Sequence, residues 1–168
     1  MKGKIITKKV SNKAMCIAIA ATVMVGCLYA HEWTAHVSEV DGISMLSTLH
    51  SGNHVYILPK KDNEYKRGEI VSFINPEDGD RMIKRVIAVA GDEIKIVDGT
   101  GEVYVNGELL NEDYINKAEE IEQYGGCDIT IPENHVFVMG DNRNHSCDSR
   151  EFGAISVYDI IGKACLIF

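Results

Sequence analysis

An uncharged apolar run near the N-terminus constrains this chain more than any other feature. Residues 14–30, AMCIAIAATVMVGCLYA, contain no charged side chain and follow five lysines. As a helix these 17 residues span about 26 Å, slightly less than a bilayer core of about 30 Å, and residues 31–33 at the interface complete the span. We therefore predict a transmembrane anchor over residues 14–33, behind a basic tail over residues 1–13.

The lysines before the apolar run predict its orientation. Basic residues stay on the cytoplasmic side, which places the tail in the cytoplasm and residues 34–168 outside the cell membrane. A cleavable signal peptide has the same basic start and apolar core and is the alternative interpretation. The run is longer than a usual signal-peptide core, and Leu28-Tyr29-Ala30 lacks the second small residue of an Ala-x-Ala site. The sequence therefore favours a retained, single-pass anchor.

The rest of the chain is acidic. Removing the five N-terminal lysines from the 17 basic residues leaves 12 against 25 Asp and Glu, a formal net charge of −13. Such a domain repels nucleic acid, and no basic patch with interleaved aromatic residues occurs in it, so we expect no nucleic-acid partner. An apolar content of 45% is enough for one domain with a packed core.

Short runs rich in β-branched residues dominate the acidic part and predict a mainly β domain. They are HVYILP (54–59), EIVSFIN (69–75), RMIKRVIAVA (81–90), EIKIV (93–97), EVYVNGELL (102–110), IPENHVFVMG (131–140) and AISVYDIIGKACLIF (154–168). The Asn106-Gly107 pair within one run indicates a hairpin. Only residues 111–124 favour a short helix. Residues 93–133, polar and acidic, are interpreted as an insertion.

The stretch DGISMLSTL (41–49) places Ser44 among apolar residues and just after a glycine. A serine hydroxyl is too weak an acid to attack an amide unaided, so a nucleophilic serine needs a base. None of the six histidines has a context that singles it out. Lys84 is a better candidate, because strand alternation puts it between Met82 and Val86, where desolvation would lower its pKa and leave a neutral amine. A lysine that reaches out to water is the alternative interpretation of this strand alone.

Three segments in the order found here resemble the type I signal peptidases, membrane-anchored Ser/Lys proteases that remove signal peptides from exported proteins. GISMLSTL is similar to the family's nucleophile motif, RGEIVSF with MIKRVIAVAGDEI to the segment bearing the general-base lysine, and GDNRNHSCDSREFG with IIGKA to its polar signature. The resemblance covers residues 38–165, and its GDNRNxSxDSR pattern is highly specific. It implies a signal-peptidase-like β-barrel or sheet with a small inserted β subdomain, and no metal or organic cofactor.

The resemblance also implies roles for individual residues. Ser44 matches the nucleophile, Lys84 the general base, and Ser146 the serine whose hydroxyl helps to orient the lysine amine. Gly42 stands where some members carry an oxyanion-binding serine, so the oxyanion would depend on backbone N–H groups, notably that of Ser44. Ser47 replaces the usual proline of the nucleophile motif, and we expect it to leave that turn less rigid.

Two further sets of residues match structural and substrate-binding positions in the family. The polar signature GDNRNHSCDSREFG, residues 140–153, is called the signature loop below. The charged residues expected to hold it are Asp141, Arg85, Asp148 and Arg150. The residues expected to line small pockets for alanine-like side chains are Val40, Met45, Leu49, Met82 and Ile83. For Met45 and its neighbour Leu46 two interpretations stay open, contact with the bilayer surface and packing in the core.

The resemblance implies an endopeptidase that cleaves exported preproteins after Ala-x-Ala sites, with signal peptides, the lipid bilayer and the secretion translocon as partners. A repressor-type Ser/Lys autoprotease is one alternative, but it requires an upstream DNA-binding module where residues 14–30 are apolar and uncharged. An inactive or specialised membrane-anchored paralogue that binds exported proteins is another, kept open by Ser47. The five cysteines show no metal-ligand spacing, and the sequence leaves their pairing open.

Overall fold

The structure is a computed structural model that describes residues 36–59, 62, 64–115 and 126–168. The tail and anchor predicted over residues 1–33 lie outside the described residues, as does most of the helix predicted over 111–124. Residues 111–115 form turns rather than a helix. Among the described residues, no helix is long and apolar enough to cross a membrane.

Two antiparallel sheets make up most of the described chain. The larger sheet contains, in spatial order, β1 (His36–Glu39), β2 (His54–Leu58), β11 (Ile160–Ile167), β3 (Ile70–Ile74), β4 (Arg81–Val89), β9 (His135–Met139) and β10 (Ile155–Ser156). The smaller sheet contains β7 (Glu108–Leu109), β6 (Val103–Val105), β5 (Glu93–Ile96) and β8 (Cys127–Thr130). One short helix, α1 (Ser149–Phe152), and 3₁₀ turns at Arg143–His145 and Val157–Asp159 complete the elements.

The prediction of a mainly β domain is confirmed. The Asn-Gly pair turns the β6–β7 hairpin with φ values of 55° at Asn106 and 79° at Gly107, the left-handed conformation that such a turn requires. Strands β1 and β8 were not predicted from the sequence. In β1, HVSE, Val37 is the only aliphatic side chain, so the local pattern gives little strand signal and pairing with β2 decides its conformation.

The larger sheet curls, and the pairing of strand β11 explains part of this curvature. It pairs with β2 on one side and β3 on the other, and its register against β3 shifts between Ile160 and Gly162. A shift of this kind increases the local twist of a sheet. As a result residues 38–41, at the β1 edge, and residues 81–84, on β4, line one common cleft although three other strands lie between β1 and β4 in the sheet order.

Three apolar clusters hold the two sheets and the loops between them. The first joins the smaller sheet to β4 and β9, and the second lies against β3, β4 and β9. The third packs Met45 and Leu49, at 2% and 0% exposure, against Val55 and Ile57 of β2. Each such buried side chain contributes about 1.5–3 kcal/mol to folding, so this third cluster fixes the stretch that carries Ser44.

We expect Gly162→Ala to destabilise the larger sheet where β11 passes closest to β2. A Cβ atom on Gly162 would lie 2.4 Å from the carbonyl oxygen of Leu58 and 3.0 Å from Cγ2 of Ile57. Because the carbonyl is backbone, the strands must separate, and the free energy of unfolding should fall by about 1–3 kcal/mol. Urea unfolding would measure this, with Gly126→Ala as the control, since the nearest contact there is 3.3 Å. Equal losses in the two variants would contradict the expectation.

Candidate active site

Ser44 lies in a turn that is held on both sides. On the inner side, the Leu49 and Thr48 N–H groups both donate to the Met45 carbonyl at 2.8 Å, while the Met45 side chain sits in the core. On the outer side, the Asn142 N–H donates to the Ser44 carbonyl at 3.0 Å. These contacts leave the Ser44 side chain half-buried and facing the cleft.

Gly42, two residues earlier, has a φ of 101°. This is a backbone conformation that residues with a Cβ atom rarely adopt, so glycine is needed here for the chain to enter the turn. Gly42 is exposed, and a Cβ atom placed on it would meet nothing within 4 Å. Its role in the structure is therefore conformational, and any role in catalysis stays a prediction.

Lys84 reaches Ser44 from strand β4. Its Nζ atom donates to Ser44 Oγ at 2.8 Å and to the Ile83 carbonyl at 3.2 Å, and the residue is 3% exposed. Burial lowers the pKa of Lys84, while the charges of Asp148, Cys147 and Asp141 act in the opposite direction. The net direction is downward, which favours the neutral amine that a general base requires.

The Ser44 and Lys84 side chains open into a cleft of about 360 Å³. Val40, Met82 and Ile83, which the sequence placed in the substrate pockets, line it. Met45 and Leu49, which were also expected to line the substrate pockets, do not line the cleft. Both are buried in the third apolar cluster, because the turn directs them inward onto β2. Of the two interpretations left open for Met45, core packing is therefore the one that the structure supports, and Leu46 is half-buried.

Asp148 is the centre of the signature loop and is fully buried. It accepts hydrogen bonds from the Ser146 hydroxyl at 2.8 Å, from the Gly140 N–H at 2.9 Å and from Arg150 Nε at 2.8 Å. Ser146 thus donates its proton to a charged acceptor, and the described hydrogen bonds of Lys84 include none to Ser146. The role expected for Ser146 in orienting the lysine amine stays a prediction, because the hydrogen bond described for the Ser146 hydroxyl goes to Asp148.

Arg85 and Asp141 join the signature loop to strand β4. Arg85 donates from Nε to Asp141 Oδ1 at 2.8 Å and from Nη2 to Asp141 Oδ2 at 2.7 Å, in the paired geometry that favours arginine. The Thr48 hydroxyl, from the Ser44 turn, donates to the same Asp141 and accepts from Arg85 at 3.2 Å. These three residues therefore connect the Ser44 turn, the Lys84 strand and the signature loop.

Gly140 allows the signature loop to approach the Ser44 turn closely. A Cβ atom there would lie 2.2 Å from Ser146 Oγ and 2.5 Å from the Ser44 carbonyl oxygen. A residue with a Cβ atom at this position would push the signature loop away from the Ser44 turn, so glycine is required. The close approach sets the distance between the Ser44 turn and the loop that carries Ser146.

Several residues of the site were missed at the sequence level. Thr48, Arg143 and Cys147 lie inside the motifs quoted above, so the family pattern contains the signal that could have found them. Glu112 and Tyr114 lie outside those three motifs, in the polar, acidic stretch interpreted as an insertion, and no role was assigned to them. Arg143 forms a buried ion pair with Glu112, and the Tyr114 ring lies under Arg85.

Two other features concern ligands and redox chemistry. Within the described ranges, no group of His, Cys, Asp and Glu has an arrangement suited to a metal ion. Cys127, Cys147 and Cys165 are free thiols, and Cys147 lines the cleft beside Lys84.

Comparisons with known proteins agree with the geometry. The family model described as signal peptidase, peptidase S26, matches residues 11–168. Signal peptidase I of Bacillus licheniformis is 30% identical, with 93% of this chain and 86% of that protein covered. Signal peptidase I S of Bacillus subtilis (strain 168) is 31% identical, with 100% and 95% covered. The crystal structure of a signal peptidase I from Enterococcus faecalis V583 is 32% identical with a TM-score of 0.50, covering 62% of this chain and 97% of that one.

We expect Asp141→Ala to lower the free energy of unfolding by about 3–5 kcal/mol, because it leaves the Arg85 guanidinium largely buried without its carboxylate. Arg85→Ala should also destabilise the protein. The double variant should lose less than the sum of the two single losses, with a coupling of about 0.5–3 kcal/mol. Chemical unfolding of all three variants measures this cycle, and strictly additive losses would show that the pair is not coupled.

Proposed function

Because this chain belongs to the signal peptidase family, peptidase S26, and is therefore a serine endopeptidase of the type I signal peptidase kind, we propose that Ser44 is its nucleophile and Lys84 its general base. The observation that carries the proposal is the 2.8 Å contact between Lys84 Nζ and Ser44 Oγ, made by a buried amine at the floor of an open cleft.

The two side chains supply the nucleophile and the proton transfers that acyl transfer to water requires. The neutral Lys84 amine accepts the Ser44 proton as Oγ attacks the carbonyl carbon of the scissile peptide bond. The resulting ammonium then donates that proton to the nitrogen of the leaving chain, and the C–N bond breaks to give an ester on Ser44. A water molecule, deprotonated by the same amine, then attacks the ester carbonyl, and the bond between that carbon and Ser44 Oγ breaks. The Lys84 ammonium returns its proton to Ser44 Oγ, and the signal peptide leaves with a free carboxylate.

Backbone donors would stabilise the tetrahedral oxyanion. The Ser44 N–H donates to no acceptor among the described residues, and we propose that it donates to the oxyanion. Gly42 provides no side-chain donor, which leaves the backbone to serve this role. An oxyanion-hole donor typically contributes about 10²–10³ in rate, so the geometry of this turn matters as much as that of the dyad.

Cleavage after small residues is part of the proposal. Val40, Met82 and Ile83 line the same cleft as Ser44, and we infer that this apolar lining selects small side chains by excluding those that are too large. Ala-x-Ala sites of exported preproteins fit this requirement. The contact between Ser44 and Lys84 favours an active enzyme over an inactive paralogue that only binds exported proteins.

We further propose the membrane arrangement that the sequence predicts. Residues 14–33 would anchor the chain in the cell membrane, with residues 1–13 in the cytoplasm and residues 34–168 outside. A signal peptide occupies the same bilayer, so anchoring raises its local concentration at the cleft. The lipid bilayer and the secretion translocon are then the surroundings in which the enzyme meets its preprotein substrates.

We expect wild-type protein in detergent or liposomes to cleave a preprotein after the last alanine of an Ala-x-Ala site. Ser44→Ala and Lys84→Ala should each lower kcat by at least about 10³-fold, because each removes a group that acts in the transition state. Lys95→Ala, at an exposed lysine on β5, is the matched control and should be fully active.

The assay separates three results. Loss of activity in both dyad variants, with folding intact by circular dichroism, supports the assignment. Retention of activity in either variant would contradict it. A folded wild type that cleaves no preprotein would favour the inactive paralogue, with Ser47 as the first position to examine.

A further inference from the structure

A short segment outside the three motifs quoted above supports the site. This return segment, residues 110–115, leaves strand β7 and runs back to the signature loop. Its Glu112 is 7% exposed. Both terminal nitrogens of Arg143 donate to the Glu112 carboxylate, the Nη1 contact at 2.8 Å, and the Tyr114 hydroxyl donates to the same carboxylate at 2.8 Å.

The first connection to the dyad runs through Arg143. This residue is 4% exposed, and its Nε atom donates to the Gly140 carbonyl at 3.1 Å. Gly140 is the position where the signature loop approaches the Ser44 carbonyl too closely to accept a Cβ atom. With Glu112 holding one edge of the guanidinium and Gly140 the other, Arg143 has little freedom to rotate. Glu112 thus fixes the loop where it meets the Ser44 turn.

The second connection runs through Tyr114. The Arg85 guanidinium carbon lies 4.1 Å from the centre of the Tyr114 ring, a cation–π contact. Arg85 follows Lys84 on strand β4. The Tyr114 carbonyl accepts a hydrogen bond from Ser47 Oγ at 3.1 Å, and Ser47 belongs to the same turn as Ser44. The return segment therefore contacts the nucleophile turn, the base strand and the signature loop.

We propose that Glu112 is a positioning residue for the Ser44–Lys84 dyad, acting through Arg143 and Tyr114 and without touching the substrate. The proposal rests on the function proposed above. The Glu112 carboxylate is occupied by Arg143 and Tyr114, and the residue is not among those that line the cleft with Ser44 and Lys84. Its effect is on the distance between the turn that carries the nucleophile and the loop that faces it.

Electrostatics explains why the charge of Glu112 matters. Arg143 is also within electrostatic range of Asp148, the carboxylate that holds Ser146 and the Gly140 N–H. Without Glu112, Asp148 becomes the main attraction for a guanidinium that is buried and must stay charged. Arg143 would then compete for the oxygens that shape the loop. A displacement of about 1 Å in such a site can cost on the order of 10² in rate.

The test compares kcat, KM and thermal unfolding for four variants of the full chain on an Ala-x-Ala preprotein. Glu112→Gln removes the charge and keeps the shape, Glu112→Asp keeps the charge, and Tyr114→Phe removes only the hydroxyl that reaches Glu112. Asp113→Asn makes the same charge change at the adjacent exposed residue and is the matched control. Wild type and Ser44→Ala run in the same assay.

We expect Glu112→Gln to lower kcat by about 10–100-fold with KM changed less than about 3-fold. Glu112→Asp should recover a clear part of that loss, Tyr114→Phe should show a smaller loss of kcat, and Asp113→Asn should match wild type. If Glu112→Gln does not fold, Glu112→Asp and Tyr114→Phe test the proposal, which predicts a lower kcat with KM nearly unchanged in both.

Three results would overturn it. A lower unfolding temperature with unchanged kcat would make Glu112 merely structural. A rise in KM alone would place its effect on substrate binding. An Asp113→Asn variant as impaired as Glu112→Gln would point to overall charge. An inert wild type would instead contradict the proposed function itself, which keeps the two failures distinguishable.

Discussion

The contact between the Lys84 amine and the Ser44 hydroxyl requires that a lysine be kept away from bulk water, and much of the structure serves that requirement. The amine lies 2.8 Å from the hydroxyl with 3% of the residue exposed. Strand β4, in the middle of the larger sheet, supplies the rigid support for Lys84. The apolar cluster beneath Ser44 supports the nucleophile, because Met45 and Leu49 fix its turn against β2. Met45 and Leu49, which were expected to line the substrate pockets, thus pack beneath the turn that carries Ser44.

Burial alone does not determine the state of the amine, since Asp148 and Asp141 both act to raise the pKa of Lys84. Each of these carboxylates has its own arginine, Arg150 for Asp148 and Arg85 for Asp141, at distances of 2.7–2.8 Å. An ion pair weakens the field that either carboxylate exerts on a third group. The arginines of the signature therefore do two things: they hold the loop, and they keep its acids from stabilising the protonated lysine. Glu112 extends the same framework by balancing Arg143.

The structure or role of a residue was predictable from the sequence where it follows from a local pattern or a known motif. It was not predictable where it depends on contacts with distant parts of the chain. The β-branched runs predicted β2, β3, β4, β5 and β9, and the Asn106-Gly107 pair predicted its hairpin. Strand β1 was missed because its conformation comes from pairing with β2. The burial of Met45 and Leu49 could not be predicted for a related reason: an apolar residue beside a nucleophile can face the substrate or the core, and only the direction of the turn decides. Glu112 was missed because its partner Arg143 lies 31 residues away.

The protonation state of Lys84 is the central claim, and nuclear magnetic resonance can measure it on the atom concerned. The protein would carry ¹³C at the lysine Cε positions, with the Lys84 signal assigned by its loss in Lys84→Met, and would be titrated in the folded state. The account predicts a pKa below the ordinary value of 10.5, so that the neutral, competent form gains population as pH rises through that lower value. A Lys84 signal that titrates at 10.5 or above would mean an ammonium at neutral pH, which cannot take the proton of Ser44, and would contradict the account.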